Sequence, residues 1–257
     1  MSLATIILWQ PAVGNNDVIA PLQNLGGAGN LTITTNVGPQ NALAYPVAPQ
    51  TMPKGPYYMG GANPNNVART LLITSPDDLS GVNFTVTGLG SAVDANGNPT
   101  GLLNQPISDT IAGPNNDNVE TTVIFKRVDS ISVDGAVTNV SAGLGTTGIT
   151  TYIFPDYDRR AWYASCSVQV LGTSSIEYTA YQSLNKPSYP GANTGNFVPF
   201  IGGEIPAFEV ATSMTAATDN QITKLDFPIA SLWLSIAETD PLTVNSLIFT
   251  FLQQGIK

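Results

Sequence analysis

Short runs of alternating apolar and hydroxyl residues, each broken off by a turn cluster, follow one another along most of this chain. They fall at 31–35 (LTITT), 68–74 (ARTLLIT), 82–87 (VNFTVT), 121–125 (TTVIF), 128–133 (VDSISV), 149–154 (ITTYIF), 162–171 (WYASCSVQVL), 175–181 (SIEYTAY), 230–237 (ASLWLSIA) and 242–253 (LTVNSLIFTFLQ). Between them lie Pro76-Asp77-Asp78, the Asp94-to-Gly97 turn, the Asn-rich stretch before Asn118, Asp134-Gly135 and the Gly145-to-Gly148 segment. A period of two places successive side chains on opposite faces, so such runs suit strands with one face buried. Their number and spacing predict an all-β fold, an antiparallel β-sandwich of jelly-roll or immunoglobulin-like (Ig-like) topology. Asp134-Gly135, between Ile131-Ser132-Val133 and Ala136-Val137-Thr138, reads as a two-residue hairpin turn.

Composition supports strands over helices. Only 11% of residues are charged, against about 25% in an average soluble domain. The difference is made up by small polar residues, 28 Thr and 22 Asn. Thr suits a half-buried pleated surface, Asn supplies turns, and the charged helix formers are scarce. At 257 residues a single sandwich can bury a proper core without disulfides or metals.

The N-terminal quarter differs. Residues 36–66 contain Pro39, Pro46, Pro49, Pro53, Pro56 and Pro64, with Tyr45, Tyr57 and Tyr58 among them. Proline removes ladder donors and favours extended backbone. Residues 1–66 are therefore expected to form an extended Pro/Tyr-rich segment, and residues 67–257 the sandwich, with a division into two sub-sandwiches near 155 as a variant. The Pro/Tyr segment reads either as an irregular loop or as an arm whose Tyr45, Tyr57 and Tyr58 are the candidate interface residues. The last run, Leu247-Ile248-Phe249-Thr250-Phe251-Leu252, is apolar on both faces. That predicts a central strand covered on both sides, or one sealed against a partner.

Catalytic chemistry finds few footholds. The chain has no histidine, which removes the commonest general base and neutral metal ligand, and with them Ser-His-Asp and Cys-His triads. No Gly-rich phosphate cradle stands between a strand and a helix. Cys166 alternates with Ala164, Val168 and Val170 and reads as a small core residue. Asp156 and Asp158, beside Arg159 and Arg160, are the best carboxylate pair for glycoside hydrolysis but read as a turn with ion pairs. Asp94-Ala95-Asn96-Gly97-Asn98 opens like a calcium loop, yet Pro99 and Gln105 stand where glycine and a bidentate glutamate are needed. It and the turn around Asp117 read as β-turns. No enzyme activity, cofactor or metal is expected.

Net charge is −9. No basic run exceeds Lys126-Arg127 or Arg159-Arg160, so nucleic acid has no electrostatic footprint. No apolar stretch is long enough for a membrane-spanning helix. The opening residues lack the charged and apolar pattern of a signal peptide, from which assembly in a cytoplasm is expected.

Residues 68–148 resemble a module of tailed-bacteriophage virion proteins. The resemblance rests on Arg69 in its ARTLLIT strand, Leu79-Ser80-Gly81, the FTVTG strand beginning at Phe84, the Asp94 turn, Ile111-Ala112-Gly113-Pro114 and the strand from Phe125 to Ser132. The C-terminal SLIFTFLQQG is similar to the closing strand of such proteins. The resemblance implies a β-sandwich virion protein assembled in the host cytoplasm, of the capsid decoration or cement type, that forms a homo-oligomer (a dimer or trimer) and binds the major capsid protein. A tail or neck adaptor or fibre-associated protein is the alternative within that class. Outside it, a glycan-binding adhesion module would use Trp162, Tyr163 and Tyr189.

Overall fold

The computed structural model describes residues 2–9, 15–34, 56–59, 67–91, 105–150, 160–171, 176–183, 207–209, 214–215, 221–224, 231–238 and 246–256. Among them there are strands and no helix. The strands are β1 (Ser2–Trp9), β2 (Ala20–Leu25), β3 (Gly29–Asn30), β4 (Tyr57–Tyr58), β5 (Val67–Thr74), β6 (Asn83–Gly90), β7 (Pro106–Ala112), β8 (Asn118–Glu120), β9 (Phe125–Val133), β10 (Val137–Thr150), β11 (Arg160–Leu171), β12 (Ile176–Ser183), β13 (Ala207–Glu209), β14 (Met214–Thr215), β15 (Gln221–Lys224), β16 (Ser231–Glu238) and β17 (Ser246–Ile256). All pairings are antiparallel. One sheet runs β1-β17-β11-β15; the other has a main path β13-β12-β16-β10-β5-β9-β6-β7, with β2, β3, β4, β8 and β14 beside it. The fold is an antiparallel β-sandwich, as the sequence predicts.

The larger sheet doubles over on itself. β5 and β9 share one register pair, Arg69 with Phe125, and beyond it they diverge. The layer β7-β6-β9 then faces the layer β8-β5-β10-β2 across a core built from Phe84, Val86, Ile111, Val128, Ile131, Leu71, Ile73, Val140 and their neighbours. Residues 31–34 close one side: the Leu31 N–H donates to the Ile131 carbonyl and the Thr34 N–H to that of Ile19. A second core joins the smaller sheet to the other end of the larger one, with Ile7, Trp9, Leu247, Phe249 and Phe251 against Val67, Tyr178, Leu232, Leu234 and Ile236. β5 serves both cores, since Leu71 lies in the first and Val67 in the second.

The alternation expected in β6 and β9 is present. Phe84, Val86, Val128 and Ile131 are fully buried, and Ile124 nearly so. On the outer face Thr85 bonds Thr110 (2.9 Å) and Thr87 bonds Ser130 (2.7 Å), and the Ser132 hydroxyl donates to the Thr85 carbonyl. A bulge between Thr87 and Gly88 shifts the register against β9 by one residue. A Cβ at Gly88 would collide with the Arg127 carbonyl, so only glycine allows that close approach.

Three local expectations are corrected. Asp134-Gly135 is no hairpin: β9 pairs with β6 and β5, whereas β10 pairs with β5, β2 and β16. The segment is a corner that carries the chain from one layer to the other. Asp134 holds it there, its carboxylate accepting from the Asn83 N–H (2.8 Å) and side-chain amide (2.7 Å). The parity of the flanking apolar residues carries this information. A two-residue hairpin would set Ala136 and Thr138 on the same face as Val133 and Ile131, yet both are exposed and Val137 is the buried residue. Residues 121–124 do not form a strand. The Thr121 hydroxyl accepts the Leu71 N–H (2.9 Å), and Asp109 accepts the N–H groups of Thr122 (2.6 Å) and Val123 (3.2 Å), turning the chain before β9. Residues 31–34 run beside the core without forming a strand.

The N-terminal segment contributes strands to both sheets: β1 pairs with β17 along its full length, β2 with β10, and β3 and β4 with β9.

Candidate interaction surface

Of the three candidate interface tyrosines, Tyr45 lies outside the described residues. Tyr57 belongs to the first core, 7% exposed, and burial pushes its phenol above its ordinary range. A ring held there fixes β4 to β9 and is closed to a partner in the folded subunit. Tyr58 is half-buried, 5.9 Å from the Arg127 guanidinium, which also forms an ion pair with Asp129. The two described tyrosines thus sit differently, Tyr57 in the core and Tyr58 beside Arg127.

The other sequence candidates divide similarly. Asp94, Asp156, Asp158 and Tyr189 lie outside the described residues. Trp162, Tyr163 and Cys166 lie on β11, and their side chains lie outside them too. Cys166 sits between Phe251 of β17 and Thr223 of β15 in the ladder. The Asp117 turn is described. Asn116 adopts a left-handed φ of 55°, common for Asn in turns. Its N–H donates to the Asp77 carbonyl, and the Asp117 carbonyl accepts the Ser75 N–H. Among the described residues, no three His, Cys, Asp or Glu side chains come together to hold a metal ion.

Several of the described carboxylates are engaged by the protein itself. Asp77 accepts from the Thr138 hydroxyl (2.5 Å) and the Asn139 amide (3.0 Å). Asp78 accepts from Ser80, which holds its carboxyl below the usual range. Glu120 accepts from the hydroxyls of Thr70 and Thr146 (both 2.7 Å) and from the Thr146 N–H.

A buried ionic cluster, unread in the sequence, joins the two sheets. Arg69 on β5 is 1% exposed. Its guanidinium meets the Glu238 carboxylate on β16 at 3.0 Å and donates to the Gly145 carbonyl in β10 through Nε (2.7 Å) and its terminal nitrogen. The Trp9 ring of β1 stacks over it, with the guanidinium carbon 3.9 Å from the ring centre, and the Trp9 indole N–H donates to Glu238 Oε1 at 2.6 Å. Burial pulls the Arg69 pKa down to about 10, against the opposing pull of Glu238. The residues are 169 and 229 positions apart in sequence. The lone arginine in an otherwise uncharged, wholly apolar-facing VARTLLIT strand was the available signal, since a cation in such a strand must find an anion. Nothing local says which one.

The outer faces are of two kinds. That of β7-β6-β9 is a ladder of Thr and Ser hydroxyls. That of the smaller sheet carries aliphatic side chains beside Gln169 and Thr250: Ile6 and Leu8 of β1 are 61% and 52% exposed, Leu171 of β11 is 43% exposed, and Ile248 and Leu252 of β17 are half-buried.

No family model matches the sequence, and no curated protein does. Among solved structures the chain is similar to the crystal structure of the infectious bursal disease virus VP2 subviral particle, with 13% identity over 97% of this chain and 71% of that one, at a TM-score of 0.20. It is likewise similar to the structure of the Gx strain of infectious bursal disease virus, with 12% identity over 100% and 76% of the two chains, at a TM-score of 0.18. At such TM-scores neither likeness carries weight for the function of this chain.

Proposed function

We propose that this chain is a structural component of a virus particle, a decoration or cement protein that binds the major capsid protein between subunits and braces the shell. The observation that carries this reading is how the polar chemistry is distributed. Asp77, Asp78, Asp109, Glu120 and Asp134 bond the protein's own backbone and polar side chains, the buried Arg69 is tied to Glu238, and the outer faces of β7-β6-β9 and of the smaller sheet carry hydroxyls and aliphatic side chains. Such a body works by burying surface against neighbours and performs no turnover. A stable contact of this kind buries about 1,600 Å² in total, and repetition over a lattice multiplies a modest single-site affinity. The sequence resemblance over residues 68–148 points the same way.

The test is immunogold labelling of purified virions with an antibody against the chain, together with co-sedimentation of the purified protein with heads lacking it. Label over the head and saturable binding to those heads support the proposal. Label confined to the neck or tail replaces it with an adaptor role. Absence from the particle, or polysaccharide hydrolysis abolished by Asp156→Asn or Asp158→Asn, overturns it.

A further inference from the structure

We infer that the outer face of the β1-β17-β11-β15 sheet is the surface on which a second copy of this chain docks, face to face about a two-fold axis. This deepens the proposed function and rests on it only for the premise that many copies gather on one shell.

Among the described residues four large hydrophobic side chains are well exposed: Ile6, Leu8, Leu22 and Leu171. Three of them share this one face. The strand register sets them in rows. Leu8 lies beside Ile248, which lies beside Gln169; Ile6 lies beside Thr250; Ala4 lies beside Leu252; and Leu171 lies beside Ser246. The opposite side of the same strands, Ile7, Trp9, Leu247, Phe249 and Phe251, is already buried in the second core. β17 is thus apolar on both faces with only its inner face covered by its own subunit.

Charge selects the occupant. The chain carries eighteen acidic residues against nine basic ones, so two copies repel each other across most of their surfaces. None of those acids lies in β1, β11, β15 or β17. β1 and β17 hold no ionisable side chain, and Arg160 and Lys224 are the only charges in the four strands. This face is where two like-charged copies meet with least repulsion and with no charge to desolvate on β1 or β17. A nucleic acid or a strongly charged protein finds little there to pair with, Lys224 beside Ser165 and Arg160 beside Ile256 being the charges that the register sets at its margins. A two-fold contact requires a self-complementary patch, and a face without acids, its middle held by aliphatic, hydroxyl and amide side chains, can meet its own copy without like charges opposed.

The area is of the order that a contact needs. Eight residues each of β1, β17 and β11 with the four of β15, at about 4.8 Å between strands and about 3.4 Å per residue, give a flat footprint of roughly 460 Å². A corrugated, side-chain-bearing face exposes more than its footprint, which approaches the roughly 800 Å² per partner of a standard interface. The two sheets would stack about 10 Å apart, as in sandwich interiors.

Sedimentation equilibrium tests this on the full chain. The wild type is expected to be a dimer. Ile6→Lys combined with Leu8→Lys is expected to be a monomer with an unchanged strand signal in circular dichroism, because both side chains point away from the core. The milder pair Ile6→Thr with Leu8→Thr should raise the dimer Kd about 100-fold or more, since it strips four apolar side chains from each interface. Thr85→Lys, on the hydroxyl face, should leave the dimer intact. A monomeric wild type, or a dimer that survives both β1 variants, overturns the inference. Capsid binding by the Lys variant, measured separately, keeps the two proposals apart: a dimer indifferent to β1 but bound to heads sinks only the docking face, whereas loss of head binding in every form sinks the capsid role.

Discussion

Replacing Glu238 by alanine should be among the most damaging single changes this fold can suffer. The variant leaves the Arg69 guanidinium, 1% exposed in the folded protein, against the Gly145 carbonyl and the face of Trp9 without its carboxylate partner. Removing one partner of a buried pair costs about 3–5 kcal/mol, because the surviving charge stays desolvated. The already depressed Arg69 pKa, with Glu238 as the main opposing influence, shows the same energetics from the other side. With about 2.1 cal/mol/K of unfolding entropy per residue, 257 residues give about 0.54 kcal/mol/K. The expected loss in Tm is therefore roughly 6–9 °C. Arg69→Met combined with Glu238→Leu removes both charges and should recover part of the loss, leaving about 1–3 kcal/mol because the Trp9 indole N–H loses its acceptor and the Gly145 carbonyl its donor. Trp9→Phe keeps a ring over the cation but drops the 2.6 Å donor to Glu238 and should cost about 1.5–3 kcal/mol. Urea unfolding followed by far-ultraviolet circular dichroism measures all three. A Glu238→Ala cost below about 1 kcal/mol, or a double variant as unstable as the two single losses added together, would refute the account of the cluster.

Gly148→Ala should destabilise by about 1–3 kcal/mol, because a Cβ there meets the Ala68 carbonyl and lies 2.8 Å from the Arg69 Cα, both backbone; the urea midpoint should fall at constant slope. Phe249→Ala opens a cavity in the second core, where the ring is fully buried, and should cost about 3–5 kcal/mol by the same assay. Asp134 is exposed, and hydrogen bonds from the Asn83 side chain and backbone hold its carboxyl below the ordinary 3.8. A depressed folded pKa contributes stability that is present above the unfolded value and is lost as pH falls through the folded one. Asp134→Asn should therefore flatten the loss of stability on acidification below pH 3.8; an acid limb as steep as wild type would count against the corner assignment.

Much of the fold was legible because burial parity is local. Phe84 and Val86 point inward and Thr85 and Thr87 outward for no reason beyond a period of two, and the central position of β17 followed from its apolar residues on both faces. The Asp134-Gly135 corner was misread because the turn dipeptide was weighed ahead of the parity of Val133, Ala136 and Val137. β1 went unread as a strand because eight residues ending in Trp9 resemble any short apolar run until β17 is beside them.

The interaction surface was less legible still. Tyr57 looked like an anchor in a proline-rich segment, and only its seat beside Val128 on β9 shows that it serves the core.

Alternation and composition, acting between neighbours in the chain, determined that this protein is built of antiparallel strands with a hydroxyl-rich exterior. Tertiary structure alone decided that Arg69 would meet Glu238 and Trp9, that β1 would lie against β17, and that Ile6, Leu8, Leu171 and Ile248 would share one face. Strand pairing joins segments more than two hundred residues apart. A local pattern fixes which side of a strand is buried, but it carries no record of which strand lies beside it.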